Sequence, residues 1–202
     1  IKLDENAPER AVVPSGFKIM FAGNIGAAQD FETILTAAEK LKGYADIHWV
    51  IIGEGRLSLW VKEQIDKREL GKVVHLLGKY GIESMPRFFS LADVMLVILK
   101  KQAIFSMTIP AKVQSYMACA KPVIAALDGE GARVINDARA GLVAPTEDPE
   151  ALAQAVLTMY KMPDTERCAM GARGRQYFEL NFERRTLLER LDGWVKELRP
   201  EE

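Results

Sequence analysis

Six short apolar segments, separated by longer amphipathic ones, constrain the fold of this 202-residue chain more than any other feature. Each is rich in aliphatic residues and mostly bounded by glycine, proline or charged residues, which is typical of strands buried in a parallel sheet. Between them, apolar residues recur at helical spacing, as Phe31, Ile34, Leu35 and Ala38 do. The predicted strands are 17–22, 47–52, 73–77, 94–98, 123–126 and 141–143, and the predicted helices are 30–42, 56–70, 84–91, 110–120, 133–138 and 149–162.

The alternation of strand and helix predicts an α/β fold: a Rossmann-like, doubly wound, parallel six-stranded sheet with extra C-terminal helices. Right-handed crossovers then place the strand-to-helix loops at one edge of the sheet, where ligands bind. Residues 164–198 have a helical pattern throughout. Their last apolar stripe predicts a helix folded back onto its own domain, with docking against an absent partner domain as the alternative; the stripe is Leu187, Leu188, Leu191, Trp194, Val195 and Leu198.

Composition excludes several classes of protein. The chain has 27 Lys+Arg against 28 Asp+Glu, a net charge of −1, which disfavours a nucleic-acid partner or a broad contact with an anionic membrane. No apolar run approaches the roughly 18 residues of a membrane span. Cys119 and Cys168 lack paired spacing, so we expect free thiols in a reducing, cytoplasmic compartment.

The beginning of the chain predicts a fragment of a longer protein, because it starts with Ile1 rather than Met. Residues 1–16 carry charges, two prolines and a Ser-Gly pair without periodicity, and we interpret them as a linker. The domain itself is expected to occupy 17–202.

Glycine-containing loops follow the first three predicted strands. The first loop, 23–29, has Gly23 and Gly26 ahead of a helix, where backbone can approach an anionic ligand closely. The second contains Gly53, Gly55 and Arg56. The third, Gly78-Lys79-Tyr80-Gly81, adds a cation and an aromatic ring.

The fourth loop, 100–110, is long for such a connection and ends at a helix whose first turn offers free N–H groups. A pyrophosphate would fit there; the alternative is a disordered surface loop with a basic tip. The fifth, 127–131, presents Glu130 between two glycines, where a carboxylate can accept hydrogen bonds from sugar hydroxyls, although Asp128-Gly129 is also a common turn.

Motifs of the usual catalytic kinds are missing from the sequence. The first loop does not match G-x-G-x-x-G, and no acidic residue closes the second strand, which disfavours a nicotinamide enzyme. His48 and His75 fall inside strands and are expected to be packed residues. The sequence has no metal-spaced His/Cys cluster, so we expect no metal and no cofactor, and loops that bind a ligand rather than react with it.

Together these loops resemble the C-terminal, donor-binding domain of B-type (GT-B) glycosyltransferases, particularly the large retaining family 4 and its bacterial O-antigen and capsular polysaccharide subgroup. The resemblance runs from Phe17 to about Phe182. It is carried by FKIMFAGNIGAAQDFETIL, VIIGEGRL, VVHLLGKYGIESMPRFFSLADVMLV, IPAKVQSYMACAKPVIAAL and AGLVAPTEDPEALAQAV.

The resemblance implies a site for a nucleotide-sugar, with a UDP-sugar favoured. Lys79 and Tyr80 would meet the nucleobase, and Gly53, Gly55 and Arg56 would line the same side. The start of the helix after the fourth strand would meet the diphosphate or the transferred sugar through Ser106, Met107, Thr108, Ile109 and Pro110.

The chain also departs from the family pattern. Where most members carry an Arg and, five positions on, a Lys that contact phosphate, this chain has Asn24 and Gln29. A pair of glutamates eight positions apart is replaced by Met107 and Ser115. Glu130 is then a candidate for the ribose contact, and Lys112 is a candidate to replace part of the lost positive charge.

The predicted function is transfer of a hexosyl or N-acetylhexosaminyl group to a glycan or lipid-linked acceptor in polysaccharide biosynthesis. The N-terminal, acceptor-binding domain would be absent here, so the isolated domain is expected to be inactive. Any membrane contact would be peripheral, at the inner face. Two alternatives stay open: a sugar-nucleotide epimerase, which would be expected to carry catalytic acids and a His in these loops, and a non-catalytic module kept for complex assembly.

Overall fold

All six apolar segments form strands of one parallel sheet in the computed structural model, which describes residues 7–198. Along the sheet the strands stand in the order β3-β2-β1-β4-β5-β6, so that the direction of winding reverses between β1 and β4. This arrangement confirms the predicted doubly wound α/β fold. The strands are β1 (Phe17–Ala22), β2 (Ile47–Ile52), β3 (Val74–Gly78), β4 (Val94–Ile98), β5 (Val123–Ala126) and β6 (Gly141–Ala144).

Three strand boundaries differ from the sequence prediction: both ends of β3, which runs one residue further to Gly78, and the end of β6. β3 starts one residue late because the Val73 N–H donates to the Leu70 carbonyl in the preceding turn, at 2.9 Å. β6 continues to Ala144, which pairs with Ala126 on β5.

Helices connect every pair of successive strands. Most lie where the amphipathic pattern predicts them, but α6 begins at Glu130 rather than 133, so Glu130 lies in a first helical turn and not in a loop. A single helical turn, α4, forms inside the expected loop 100–110. The helices are α1 (Phe31–Lys40), α2 (Ser58–Lys67), α3 (Met85–Leu91), α4 (Ala103–Ser106), α5 (Ala111–Ala118), α6 (Glu130–Asp137), α7 (Pro149–Lys161), α8 (Asp164–Asn181) and α9 (Arg184–Glu197), with short 3₁₀ helices η1 (Pro8–Ala11) and η2 (Ile82–Ser84).

The sheet separates two apolar layers. On one face Ile34 of α1, Val61 of α2 and Leu152 of α7 are fully buried against it. On the other face Phe88 of α3 and Val113 of α5 are buried in the same way. Both faces of each central strand are therefore covered, which explains why these strands are continuously apolar.

The strands β1 and β4 separate at their carboxyl ends. They pair only at Ile19–Val94 and Met20–Met95, whereas β1 pairs with β2 along all six of its residues. The hydroxyl of Tyr116, a buried residue of α5, fills the gap: it accepts from the Ala22 N–H at 3.1 Å and donates to the Ala22 carbonyl at 3.2 Å. One side chain thus replaces the missing backbone partners and ties α5 to the end of β1.

The C-terminal helix does not fold back as predicted. α8 packs on α5, whereas the apolar stripe of α9 faces outward: Leu191 is 52% exposed, Trp194 60% and Leu198 83%. No residue of α9 is buried. The exposed stripe of α9 is compatible with the alternative interpretation, docking against another domain.

The predicted linker is packed where it is described. Residues 1–6 lie outside the described part of the chain. In η1, Glu9 is 5% exposed and its carboxylate lies 2.8 Å from the Arg87 guanidinium. This ion pair therefore holds the segment that leads into β1 against α3.

His48 and His75 lie side by side on neighbouring strands, with Nδ1 of the first 3.0 Å from Nε2 of the second. Burial lowers the pKa of both, and in His75 the charge of His48 lowers it further. Both histidines are partly buried and contact each other, which agrees with the expectation that they are packed residues.

Tyr116→Phe is expected to destabilise the domain by about 1–3 kcal/mol, because the backbone N–H and C=O of Ala22 lose their buried partner. Urea unfolding followed by circular dichroism measures the change. Tyr160→Phe is the control, since its ring packs against Phe17 and its hydroxyl has no hydrogen bond to the described residues; it should stay within about 0.5 kcal/mol of wild type. Equal effects of the two changes would contradict the role assigned to Tyr116.

Lowering the pH through the histidine range should reduce the free energy of unfolding. Both folded-state pKa values lie below the unfolded value near 6.5, so the unfolded chain binds more protons and stability falls as the pH drops below about 6.5. Urea midpoints between pH 7.5 and 5.5 test this. In His75→Gln the slope should be shallower, and an identical slope would show that the pair does not carry the effect.

Candidate functional site

A cleft of about 810 Å³ opens at the carboxyl ends of β1, β2 and β3. It lies where strand-to-helix loops gather beside the reversal of the sheet, the usual place for a ligand in this class of fold. Its lining comes from the loops after these three strands and from the start of α2 and α3. The residues are Gly23, Asn24, Ile52, Gly53, Glu54, Gly55, Arg56, Ser58, Lys79, Tyr80 and Met85.

The floor of the cleft is made of interlocked backbone. The Gly23 N–H donates to the Ile52 carbonyl at 2.8 Å, and the Gly53 N–H donates to the Gly78 carbonyl at 2.7 Å. Gly53 has φ of 136°, and a Cβ there would overlap the Gly23 carbonyl oxygen. Only glycine fits this position. The close approach and the two backbone hydrogen bonds join the three loops into one rigid surface.

The polar groups of the cleft favour an anionic, aromatic ligand. Arg56 and Lys79 are exposed and form no ion pair with the described residues, whereas Glu54 is the only acidic side chain in the lining. The ring of Tyr80 is held edge-on to Phe88, with centroids 4.6 Å apart. A fixed ring beside free cations suits a base attached to phosphate.

Seven predicted site residues line this cleft: Gly23, Asn24, Gly53, Gly55, Arg56, Lys79 and Tyr80. Ser58 also lines the cleft and was not predicted; its hydroxyl accepts from the Gly55 N–H at 2.9 Å, and a serine three residues after a glycine is the turn signal that marks it. Met85 reaches the cleft from the start of α3, and no local pattern marks it.

The segment that was expected to meet the diphosphate lies on the other side of the sheet reversal. Ser106 lines a smaller cavity of about 240 Å³ with Lys100 and Asp128. A Cβ on Gly129 (φ 73°) would overlap the Ser106 backbone, so the loops after β4 and β5 are locked together. Met107 is 67% exposed. Thr108, Ile109 and Pro110 complete the approach to α5, and Pro110 is the residue before the first helical one rather than the first itself.

Glu130, the candidate ribose ligand, does not line the large cleft. Its carboxylate is held by the Arg133 guanidinium one turn away, with Oε2 2.6 Å from Nη2. This hydrogen bond lowers the pKa of Glu130. Arg133 also pairs with Asp137 at 2.8 Å. Glu130 is therefore ionised and oriented, but the loop that carries it lies four strands along the sheet from the loop of Lys79 and Tyr80.

Neutral side chains occupy three of the positions where the family pattern has charged residues: two cations at Asn24 and Gln29, and a glutamate at Ser115. The Gln29 Oε1 accepts from the Gly26 N–H at 3.3 Å, and the Ser115 hydroxyl donates to the Ala111 carbonyl at 3.0 Å. Asn24 lines the cleft beside Gly55. None of these three side chains supplies positive charge.

Lys112 lies beside the first loop. Its Nζ is 3.8 Å from the centroid of the Phe21 ring, and a Cβ on Gly23 would lie 2.8 Å from it. Burial lowers the pKa of Lys112 to about 7. Of the residues named from the sequence, it is the cation placed closest to the sheet reversal.

A further cavity of about 540 Å³ lies at the opposite, amino edge of the sheet. Two of the charged groups in its lining already have partners: the Lys121 Nζ donates to the carbonyls of Ser90 and Ala92, and Lys18 pairs with Asp93 at 2.9 Å. We therefore place the candidate site at the carboxyl edge.

Within residues 7–198, no cluster of His, Cys, Asp and Glu is placed to hold a metal ion. Over the same range, none of the helices is both long and apolar enough to cross a membrane.

Residues 16–162 match the family model described as glycosyl transferases group 1. The chain belongs to this family. It is 26% identical, over 88% of its length, to the probable glycosyltransferase WbjE of Pseudomonas aeruginosa, of which it covers 44%. The chain thus spans about half the length of the curated relatives it matches.

Two solved structures share the fold. HepE of Anabaena in complex with UDP superposes with a TM-score of 0.79 at 16% identity, over 94% of this chain and 51% of that one. The C-terminal domain of a glycosyl transferase group 1 family protein of Francisella tularensis superposes with a TM-score of 0.71 at 21% identity, over 90% and 95%. The second match covers nearly a whole isolated domain.

Proposed function

We propose that residues 17–202 form the donor-binding domain of a glycosyltransferase and that the cleft holds the nucleotide of a nucleoside-diphosphate sugar, with uridine favoured. The observation that carries this proposal is the juxtaposition, on one rigid backbone floor, of the fixed Tyr80 ring with the free cations Lys79 and Arg56. Membership of the glycosyl transferases group 1 family supports it. So does the UDP bound to HepE, a protein with the same fold.

The diphosphate would then reach from the cleft toward the sheet reversal and the start of α5. Within residues 7–198, no side chain caps the first turn of α5, so its N–H groups are available to an anion. Preorganised donors of this kind, together with Lys112, would stabilise the charge that develops on the departing diphosphate.

The acceptor would be bound by a second, N-terminal domain. The exposed stripe of α9 supports this proposal, because its aromatic and aliphatic side chains, Trp194 and Leu198 among them, are not covered by the described part of the chain. We propose transfer of a hexosyl or N-acetylhexosaminyl group to a glycan or lipid-linked acceptor in bacterial O-antigen or capsular polysaccharide synthesis, in the cytoplasm or at the inner face of the membrane. The isolated domain would bind donor and catalyse no transfer.

Calorimetric titration of the 202-residue chain with UDP-glucose should show weak, saturable, one-to-one binding. Lys79→Met should weaken it roughly five- to tenfold, because an exposed cation retains part of its attraction for the ligand in water. Lys72→Met, a change at an exposed residue before β3, is the matched control and should leave the affinity as it is. A chain that binds no UDP-sugar would instead support the assembly module, and sugar release by this chain alone would contradict the need for a second domain.

Glu130→Gln tests the ribose contact expected from the sequence. Glu130 lies four strands from Tyr80 along the sheet and its carboxylate is bound by Arg133, so the ribose of a nucleotide whose base meets Tyr80 is out of its reach, and the affinity for UDP-glucose should stay as in wild type. Asp137→Asn removes the other carboxylate bound to Arg133 and is not expected to change the affinity. Weaker binding by Glu130→Gln alone would contradict this expectation and assign the ribose contact to Glu130.

A further inference from the structure

Lys112 occupies an unusual position for a lysine. It is the second residue of α5, and its Nζ points over the face of the Phe21 ring at 3.8 Å, next to Gly23. The absence of a side chain at Gly23 makes room for the amine. Lysine stems often cover apolar surface while the amine stays in water, but here the amine itself lies on an apolar face.

No counter-charge accompanies this amine. Among the described residues, none forms an ion pair or hydrogen bond with Lys112, and burial is the sole cause that lowers its pKa to about 7. A cation–π contact offsets part of the cost of burying the ammonium, but it does not neutralise the charge.

The surrounding elements explain the absence of a partner. The first loop, 23–29, has no titratable side chain. On β1 the only such group is Lys18, at the far end and paired with Asp93. Beyond the loop, Asp30 accepts from the N–H of Thr33 at 3.4 Å and also bonds its hydroxyl at 2.5 Å.

The remaining titratable groups near the site have other hydrogen-bond partners or are exposed to solvent. On α5 itself Tyr116 is bonded to Ala22, and on α6 Glu130 is held by Arg133. Glu54 and Arg56, in the loop after β2, are exposed to solvent and do not shift the pKa of Lys112. Among the described residues, the amine thus has no counter-charge at the sheet reversal.

We propose that binding of a nucleoside-diphosphate sugar is coupled to uptake of one proton by the Lys112 amine, so that donor affinity falls as the pH rises above neutrality. The inference rests on the proposed function. In the empty site much of the amine is neutral at neutral pH; a diphosphate next to it supplies the counter-charge that favours the ammonium. The neutral amine takes the proton from buffer, and no covalent bond is made or broken.

Calorimetric titration with UDP-glucose in buffers of different ionisation enthalpy measures this uptake. UDP-glucose is the suitable ligand because its pyrophosphate is esterified at both ends and does not titrate between pH 7 and 8.5. We expect uptake of most of one proton per ligand at pH 8, and an affinity that falls as the pH rises above neutrality, by up to roughly tenfold per pH unit.

Two substitutions at the same position separate charge from proton transfer. Lys112→Arg keeps a cation that does not deprotonate, so it should bind at pH 8 with no uptake and with little dependence on pH. Lys112→Met should abolish uptake and weaken binding roughly 10- to 100-fold at pH 7. Lys40→Met, which removes a cation paired with Glu150 on the outer surface of α1, is the matched control and should retain both uptake and affinity.

A measurement without ligand completes the test. The ¹³Cε resonance of Lys112, assigned by its absence from Lys112→Met, should titrate near neutral pH in the free chain. Titration only above pH 9 would overturn the inference. Binding without proton uptake would overturn it too and leave the proposed function standing, whereas the absence of any UDP-glucose binding would overturn both.

Discussion

The separation of β1 and β4 at their carboxyl ends is the constraint from which the site follows. The reversal of winding leaves the Ala22 backbone without a strand partner on one side, and unpaired buried backbone groups are costly. Tyr116 satisfies both of them with one hydroxyl, and its own pKa is raised by the burial that this requires. The end of β1 and the helix α5 are consequently fixed relative to each other.

That tie also positions Lys112. Residues four apart lie on the same face of a helix, so a helix that turns Tyr116 toward the end of β1 turns Lys112 toward the same strand one turn earlier. Its amine then meets Phe21 and Gly23 rather than solvent. A structural hydrogen bond and a candidate ligand contact are therefore two consequences of one packing arrangement.

Sequence patterns could predict much of this fold because its strands are buried on both faces. β1, β2, β4 and β5 begin and end where their apolar runs do. Patterns failed where tertiary contacts decide: α6 starts early at Glu130 because the close packing of Gly129 on Ser106 brings the turn forward, and the α9 stripe stays exposed although its periodicity is that of a packed helix. In the site, the glycine loops and Lys79-Tyr80 could be located from their place after strands. The isolation of the Lys112 amine could not be predicted from the sequence. It depends on the position of the Phe21 ring, on the space left at Gly23 and on the hydrogen bonds that engage Asp30.

The site has few positive charges, so the Lys112 amine, which has no counter-charge among the described residues, is important for the proposed phosphate binding. Asn24 and Gln29 stand where the family pattern has two phosphate-binding cations, and a helix N-terminus alone contributes only about 0.3–1 kcal/mol, rising to about 2 in favourable partly buried geometries. An exposed lysine such as Lys79 adds little more, because water and salt screen it. A buried ammonium attracts phosphate more strongly, but keeping it charged in the empty site would cost desolvation energy without a partner. A lysine that is partly neutral until the diphosphate arrives avoids part of that cost, and its proposed protonation on binding gives a site with few cations a strong attraction for phosphate.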